Sequence, residues 1–469
     1  MPSTRARRRD TSGVARASEV VRGMTVQVMK TKAEAALSEH FADVADKLPG
    51  GAAARRARAE AIGQFAAQGL PHRRIEQWKY TDLRTLLKEA YRPQADGRAS
   101  EDAIVRASRR ALPGIEADVT VFVDGVLARG KADGGKLEVS SVAAELSKGR
   151  EMLTPDLPDT VDAGARSVLA LNTAFVTDGA VVRIPDRAVI ERPLHLLFFA
   201  TGAEPRAIAT RNIVHVGKGA ELVLIEQHAG DAGTARQENA VTELTLGEGA
   251  RVIHVKCLEA GAGSAHFGNL IVRIGAGASY RPFQMTIGSG LVRNQIVATF
   301  AGEGGTFDFG VAFLIGGHAH ADTTLLVDHA VPGCTSRELV KGVLGGAARG
   351  IFQGKVVVRP GAQKSDGKQM AQALMLSPDA EFDSKPELEI HADDVICGHG
   401  STAAEIDGDL LFYCRTRGIP LAEARAMLVE SFIGEVIEKV AHEGVRQALA
   451  GRARAWLAAS QAEDAADKG

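Results

Sequence analysis

Cys397 and His399 are the two residues whose types and spacing most directly suggest chemistry. They lie in the segment 385–400, KPELEIHADDVICGHG, which predicts a strand, a carboxylate-rich turn and a second strand. Because residues two apart on a strand point to the same face, the thiol and the imidazole should be neighbours. Thiolate and imidazole ligands suit zinc, copper and iron–sulfur sites. Two ligands are only half of such a site, so the others must come from elsewhere, including another chain.

Spacing alone leaves a structural role open for this pair, since a packed cysteine and a hydrogen-bonded histidine would fit the same strand.

The preceding turn offers a second kind of chemistry through Asp393 and Asp394. Paired carboxylates cleave glycosidic bonds in β-helix enzymes. Aspartate also favours turns, because its side chain hydrogen-bonds its own backbone. A turn is therefore favoured over catalysis for these two residues.

A second polar cluster occurs in the segment GGHAHADTTLLVDHAVPGC. We expect His318, His320 and Asp322 to alternate along one strand and share a face, with Asp328 and His329 on the next stretch. Histidine and aspartate in this pattern could bind a metal ion. A solvated sheet face with structural hydrogen bonds is favoured over that reading.

The remaining cysteines are widely separated and form no CxxC pair, which argues against a disulfide framework and for a reducing cytoplasmic location. Cys257 lies among alternating aliphatic residues and is predicted to be core. Cys414 lies in a predicted helix and is also expected to be core. Cys334 follows a turn glycine and is expected to be exposed.

Composition excludes several functions. The 469-residue chain has a net charge of -2 and 5% aromatic residues, so neither charge nor stacking favours nucleic acid. No apolar run approaches the roughly 20 residues of a membrane span. The Arg-rich residues 1–24 lack the apolar region of a secretory signal and are predicted to be a disordered extension, with Met24 an alternative start. The sequence has no Walker A, HExxH or GxSxG motif, so we expect neither nucleotide binding nor hydrolysis by this chain alone.

The elements that must position these residues come from a repeat. Turn sequences of the type GxGA or GxGG begin at Gly217, Gly247, Gly275 and Gly302, which are 30, 28 and 27 residues apart. Short β-rich runs separate them. A period in this range predicts a solenoid, because one coil cannot bury its apolar face without its neighbours. We therefore predict a parallel β-helix, with a β-sandwich as the disfavoured alternative.

The hydrophobic pattern divides the chain after residue 24 into three parts. Residues 25–115 are predicted to form an N-terminal helical domain, 116–405 the parallel β-helix core and 406–469 a C-terminal helical domain. The last of these is expected to block the end of the solenoid and to leave a face free for a partner. Its predicted apolar face consists of Ala424, Met427, Leu428, Phe432, Val436, Ile437 and Val440.

Several long motifs occur in the order found in one known family. They are KPELEIHADDVICGHGSTAAEID followed by LFYCRTRGI, RGIFQGKVVVRPGAQKSDGKQ, SRELVKGVL, and RRIEQWKYTDL. Together these segments resemble the SufB/SufD family of the SUF iron–sulfur cluster assembly system, over about residues 30 to 460. Ala371 stands where the SufB branch carries a functional cysteine, so the sequence is more similar to the SufD branch.

The resemblance implies a right-handed parallel β-helix between helical terminal domains. It implies a non-enzymatic scaffold that forms a heterodimer with SufB through the β-helix and binds the ATPase SufC through the C-terminal helices. It further implies that His399, with Cys397 beside it, supplies ligands to a transient iron–sulfur cluster shared with SufB.

Other functions stay possible at the level of sequence. The chain could be a SufB-like paralogue, or a homodimer that acts without SufB. A carbohydrate-active β-helix enzyme using Asp393 and Asp394 is a third reading. The scarcity of aromatic platforms, with two Trp and four Tyr, counts against that enzyme.

Overall fold

The computed structural model describes residues 30–93, 99–130, 137–155, 157–202, 204–231 and 233–466. The basic extension predicted for residues 1–24 lies outside these ranges. Helices precede and follow a long stack of strands, so the mainly β fold with a parallel solenoid core and flanking helices is confirmed.

The N-terminal region is built from short helices with well-formed caps. At the first helix, the Thr31 hydroxyl accepts from the Glu34 backbone at 3.2 Å and the Glu34 carboxylate accepts from the Thr31 backbone at 2.6 Å. The elements are α1 Lys32–Val44, α2 Ala52–Gln68, α3 Leu83–Leu86, β1 Arg92–Pro93, α4 Glu101–Arg110, β2 Asp118–Val123, β3 Val126–Arg129, β4 Glu138–Ser141, α5 Val142–Ser147 and α6 Ala163–Phe175, with 3₁₀ helices at Ala45–Lys47 and Glu76–Trp78.

The solenoid has about eight turns, and each turn contributes one strand to each of two sheets. β1 and β4 add to the first sheet and β2 and β3 to the second, so each sheet has ten strands in the described ranges. Sheet A contains the odd-numbered strands from β5 to β19, and sheet B the even-numbered strands from β6 to β20. The strands are β5 Ala180–Ile184, β6 Leu194–Ala200, β7 Arg206–Val216, β8 Glu221–Gly230, β9 Arg236–Leu246, β10 Arg251–Ala260, β11 Ala265–Ile274, β12 Ser279–Gly288, β13 Leu291–Phe300, β14 Thr306–Ile315, β15 His320–His329, β16 Thr335–Leu344, β17 Arg349–Val358, β18 Asp366–Met375, β19 Glu381–Ile390 and β20 Ile396–Ala404.

The glycine repeat of the sequence marks the turns between the two sheets. Gly249 and Gly277 adopt φ values of 67° and 61°, in the left-handed region that side chains disfavour. Strands in one sheet then pair in parallel and in register, as Arg251 does with Ser279. The inward-facing residues of both sheets form one continuous apolar core. Stacking therefore buries what a single coil could not.

The segment carrying the W-K-Y-T motif fastens the N-terminal helices to the solenoid. Trp78 is buried, its ring lies 4.3 Å from the guanidinium carbon of Arg293, and its indole N–H donates to Asp162 Oδ1 at 2.9 Å. The Thr81 hydroxyl donates to the buried Asp322 carboxylate, which also accepts from Arg293. The motif is thus a docking element between helices and sheet A.

The C-terminal helices are α7 Gly408–Thr416, α8 Leu421–Ile437 and α9 Glu443–Ala466. Contrary to expectation, they do not block the end of the solenoid. Helix α8 packs on β14 and β16, and α9 packs on β12, all on the outer face of sheet B. That face is apolar, with Phe283 and Leu314 in the same cluster as Ile433, so packing there buries the apolar stripe of the helices.

The predicted apolar face of α8 is also partly wrong. Met427 is exposed, and Leu428 and Phe432 are only half-buried. The buried stripe is rotated toward Val429 and Ile433, which keep the spacing of three and four residues. Its members are Ala424, Val429, Ile433, Val436 and Ile437, and Val440 continues it just beyond the helix.

None of the helices in the described ranges is both long enough and apolar enough to span a lipid bilayer.

Candidate functional site

Cys397 and His399 lie on β20, the last strand of sheet B. Among the described strands it pairs with β18, where Cys397 is in register with Gly367 and His399 with Gln369. In-register neighbours in a parallel sheet point to the same side. Gly367 and Gln369 belong to the buried side of β18, so the thiol and the imidazole both face the interior of the solenoid.

The end of the stack is open at this point. No residue of β19 or β20 is buried, although both strands continue the core strands in register. Cys397 is half-buried and packs against the last apolar residues of the core, whereas His399 is exposed. The Cys397 sulfur lies over Gly367, 3.6 Å from the place where a Cβ on that glycine would be. The predicted pair is therefore at the mouth of the solenoid interior.

A cleft of about 470 Å³ includes this pair and reaches to the two preceding coils. Gln369 lies one coil below His399 and Glu338 lies two coils below it, in the same inward-facing column. Both are buried; the Gln369 amide has no hydrogen-bond partner among the described residues, and the Ser336 hydroxyl is the neighbouring donor for Glu338. Burial raises the pKa of Glu338 to about 8, so at neutral pH this carboxyl group is mostly protonated.

Burial also raises the pKa of Cys397, and the nearby Asp366 carboxylate adds to the effect. The free thiol is therefore favoured over the thiolate in the isolated chain. A metal ion would reverse this preference, because only the thiolate ligates and binding of the ion releases the proton. Lys368 and Lys439 also line the cleft, and the Lys439 ammonium pairs with the Asp308 carboxylate.

Sequence reasoning missed Glu338 and Gln369. The signal was present in the repeat length, because positions about 30 residues apart occupy equivalent places in successive coils. Counting back from His399 leads to Gln369 and then to Glu338. Ala371 lies two residues beyond Gln369 and also faces the interior, in register with Ser401.

Asp393 and Asp394 form an exposed turn between β19 and β20. The Asp394 carbonyl accepts from the Lys364 backbone at 2.6 Å, and the Asp394 backbone donates to Gln363 Oε1 at 2.8 Å. The Asp394 carboxylate also pairs with the Lys364 ammonium. These contacts support the turn interpretation rather than a catalytic pair.

The second polar cluster is distributed differently from the prediction. His318 is exposed in a turn before β15, so it does not share that strand with His320 and Asp322. His320 contacts the Thr81 hydroxyl at 2.9 Å, and Asp322 receives the docking segment described above. These side chains have structural partners.

Asp328 and His329 lie at the end of the same strand, β15, rather than on a following one. The buried Asp328 carboxylate accepts two hydrogen bonds from Arg359, at 2.8 and 2.5 Å. His329 contacts the Ser336 hydroxyl at 3.1 Å in the interior. The favoured structural interpretation of the cluster fits these contacts, although most of its members are buried rather than solvated.

Two of the three other cysteines differ from expectation. Cys257 is buried as predicted, and burial raises its pKa to about 12. Cys334 is buried rather than exposed, because its turn is covered by the next coil and its sulfur packs in the core. Cys414 is only half-buried, since α7 contains no buried residue.

The fold and the site together define a parallel β-solenoid protein whose candidate site lies at an open end of the stack. Comparison with known families gives two matches. The SufBD core domain of the SUF system for FeS cluster assembly matches residues 198–432, and the SufBD protein N-terminal region matches residues 31–196.

Individual relatives agree with these matches. An iron–sulfur cluster assembly SufBD family protein of Synechocystis is 30% identical over 402 residues, covering 82% of this chain and 86% of the relative. The iron–sulfur cluster assembly protein SufD of Escherichia coli is 28% identical over 394 residues, covering 83% and 90%. A SufBD family protein of Mycobacterium tuberculosis is 30% identical over 391 residues, covering 81% and 87%. The chain belongs to the SufBD family of iron–sulfur cluster assembly proteins, which confirms the predicted resemblance.

Proposed function

We propose that this protein is a non-enzymatic, SufD-type scaffold that pairs with SufB and supplies ligands to an iron–sulfur cluster, its cargo. The observation that carries the proposal is the inward-facing pair Cys397 and His399 at an open solenoid end. A thiolate and an imidazole are suitable ligands for an iron–sulfur cluster, and the remaining ligands come from SufB. The absence of a cysteine at Ala371 favours the SufD-type role over a SufB-type one.

Unpaired strand edges support pairing with a second β-helix. β19 and β20 each have a strand neighbour on one side only, and free edges of this kind bind added strands. Apolar side chains are exposed beside these edges, among them Ile390, Leu376 and Ile396, the last at 64%. In isolation, the same end is available to a second copy of this chain, so the free protein can form a homodimer.

An uncovered helix supports docking of the ATPase SufC. Helix α7 buries none of its residues, and Leu410, Phe412 and Tyr413 are exposed, Phe412 at 70%. An apolar patch of this kind on a short helix fits a protein partner. ATP would be bound and hydrolysed by that partner, while this chain transmits the rearrangement to the cluster site. Four free cysteines support a reducing, cytoplasmic location.

His399→Ala tests the ligand role. The variant is co-expressed with SufB and SufC, and the complex is recovered by pull-down and reconstituted anaerobically with iron and sulfide. We expect the three proteins to co-purify while iron and sulfide content falls at least about tenfold, because an exposed imidazole is lost without a change in the core. Visible absorption and iron analysis measure the cluster.

His391→Ala is the matched control, because His391 is an exposed histidine on the adjoining turn whose ring lies 3.0 Å from the Glu389 carboxylate, away from the candidate site. It should retain the cluster. Full cluster content in His399→Ala would refute the ligand role, and failure of the unsubstituted chain to recover SufB or SufC would refute the scaffold role.

A further inference from the structure

The coils formed by β8 to β11 hold a buried group of ionisable side chains, distant in the stack from Cys397 and His399. Interior positions of the solenoid are otherwise largely apolar, so an ionisable group there needs a specific compensation. The group consists of Glu226 and His228 on β8, Glu238 on β9, His254 and Lys256 on β10, and His266 on β11.

Three of these residues have the geometry of metal ligands. One potential ligand atom each from His228, Glu238 and His266 lies within 4.8 Å of the other two. Glu238 Oε2 lies 2.9 Å from His266 Nδ1 and 3.7 Å from His228 Nδ1. Ligand atoms around a tetrahedral ion with bonds of about 2.1 Å are separated by roughly 3–4 Å, so small movements would complete the site.

The surroundings orient His228 as a ligand. Its Nε2 lies 2.8 Å from Glu226 Oε1, and Glu226 Oε2 accepts from the Thr242 hydroxyl at 2.7 Å. A neutral imidazole that donates from Nε2 has its lone pair at Nδ1, facing the Glu238 carboxylate. Carboxylate–histidine pairs of this kind hold the ligating histidines of zinc sites. A cation bound between Nδ1 and the carboxylate would remove the repulsion between their facing lone pairs.

The charges around the three residues also fit a bound cation. Arg236 Nε lies 3.2 Å from Glu238 Oε1, which is not the oxygen that faces the two imidazoles, and Lys256 Nζ lies 3.3 Å from Glu226 Oε1. These two cations offset the two carboxylates. An ion must therefore be held by imidazole nitrogens rather than by net charge, which favours transition metals over Mg²⁺ and Ca²⁺.

A small internal cavity lies close to this buried group and is lined by His254, Lys256, Gly268 and Asn294. The Nε2 atom of His266 lies 3.0 Å from the place where a Cβ on Gly268 would be, and this buried nitrogen has no hydrogen-bond partner among the described residues. An unsatisfied polar atom of the proposed site therefore lies next to a glycine of the cavity wall.

We propose that His228, Glu238 and His266 bind one divalent transition-metal ion of the Zn²⁺ and Fe²⁺ class inside the solenoid. Water from the adjoining cavity completes the coordination. The ion ties β8, β9 and β11 together and is separate from the cluster site on β20.

Cobalt binding tests this site. The full chain with Cys397→Ala and His399→Ala, which removes the other candidate ligands, is stripped with a chelator and titrated with Co²⁺. We expect one ion per chain, visible absorption of a four- or five-coordinate nitrogen and oxygen site, and a higher Tm because only the folded state binds. His266→Gln in the same background should weaken Co²⁺ binding more than about tenfold.

His254→Gln is the control, because His254 belongs to the same buried group but not to the three ligands. It should bind Co²⁺ like its parent. If His266→Gln does not fold, X-ray absorption of the Zn²⁺-loaded parent decides instead, with two imidazole ligands expected. No uptake by the folded parent, undiminished binding by His266→Gln, or absence of imidazole ligands would overturn the proposal.

Discussion

Glu338 is a carboxyl group buried two coils below His399, and its protonation couples the stability of the fold to pH. Its pKa is raised from 4.5 to about 8 by burial. The folded state therefore binds the proton more tightly than the unfolded state. The contribution to the free energy of unfolding is full below about pH 4.5 and is lost as the pH rises toward 8.

Glu338→Gln should remove this dependence. Between pH 5 and pH 8, the variant should gain stability relative to the unsubstituted protein by on the order of 1 kcal/mol per pH unit, since the amide never has to ionise. Urea denaturation at each pH measures the difference. Glu303→Gln, at an exposed turn, should show no such trend, and parallel pH profiles for Glu338→Gln and the unsubstituted protein would contradict the assignment.

The docking segment around Trp78 is the element that joins the N-terminal helices to sheet A. Its indole ring, the guanidinium of Arg293 and the carboxylate of Asp322 form one buried contact between parts of the chain more than 200 residues apart. The motif that carries the family resemblance at this point is therefore explained by packing and hydrogen bonding rather than by ligand chemistry.

Trp78→Ala should lower the free energy of unfolding by about 3–5 kcal/mol, because it leaves a large cavity and removes one of the two hydrogen bonds that Asp162 Oδ1 accepts. Trp78→Phe should cost less, since it keeps most of the apolar contact. Urea denaturation measures both. Trp456→Phe, at a half-buried position on α9, is the control, and equal costs for Trp78→Ala and Trp456→Phe would argue against the docking role.

Much of this arrangement follows from sequence, and the reasons for the failures are physical. Glycine spacing fixes the coil length, and a two-residue offset places Cys397 and His399 on one face. Burial of Cys334 depends on contact with a neighbouring coil, which a local turn pattern does not reveal. The position of α8 was missed because an apolar helix pattern shows that a partner surface exists without showing which surface it is.

At the scale of the whole molecule, the solenoid is asymmetric. N-terminal helices cover part of sheet A and C-terminal helices cover part of sheet B, while β20 at the end of the stack contains no buried residue. At this end of the stack, exposed apolar residues and free strand edges lie beside the candidate ligands. Pairing and cluster binding would then use the same surface.

Ile396→Lys should therefore prevent recovery of SufB without destabilising this chain. The side chain is already 64% exposed, so Tm should change little, whereas a charge buried in an interface is costly. Pull-down of co-expressed SufB and thermal unfolding measure the two effects. Val189→Lys, at an exposed apolar position near the other end of the stack, is the control, and undiminished SufB recovery by Ile396→Lys would place the interface elsewhere.

The open end has one further consequence, for local stability. In a solenoid, stability is close to a sum of terms within each coil and nearest-neighbour terms between coils. The coil that carries Cys397 and His399 has one neighbour where interior coils have two, so it frays at a lower free energy than the rest of the stack. A partner stacked on it would supply the missing nearest-neighbour term. The ligands would thus become fixed in position only as the partner arrives.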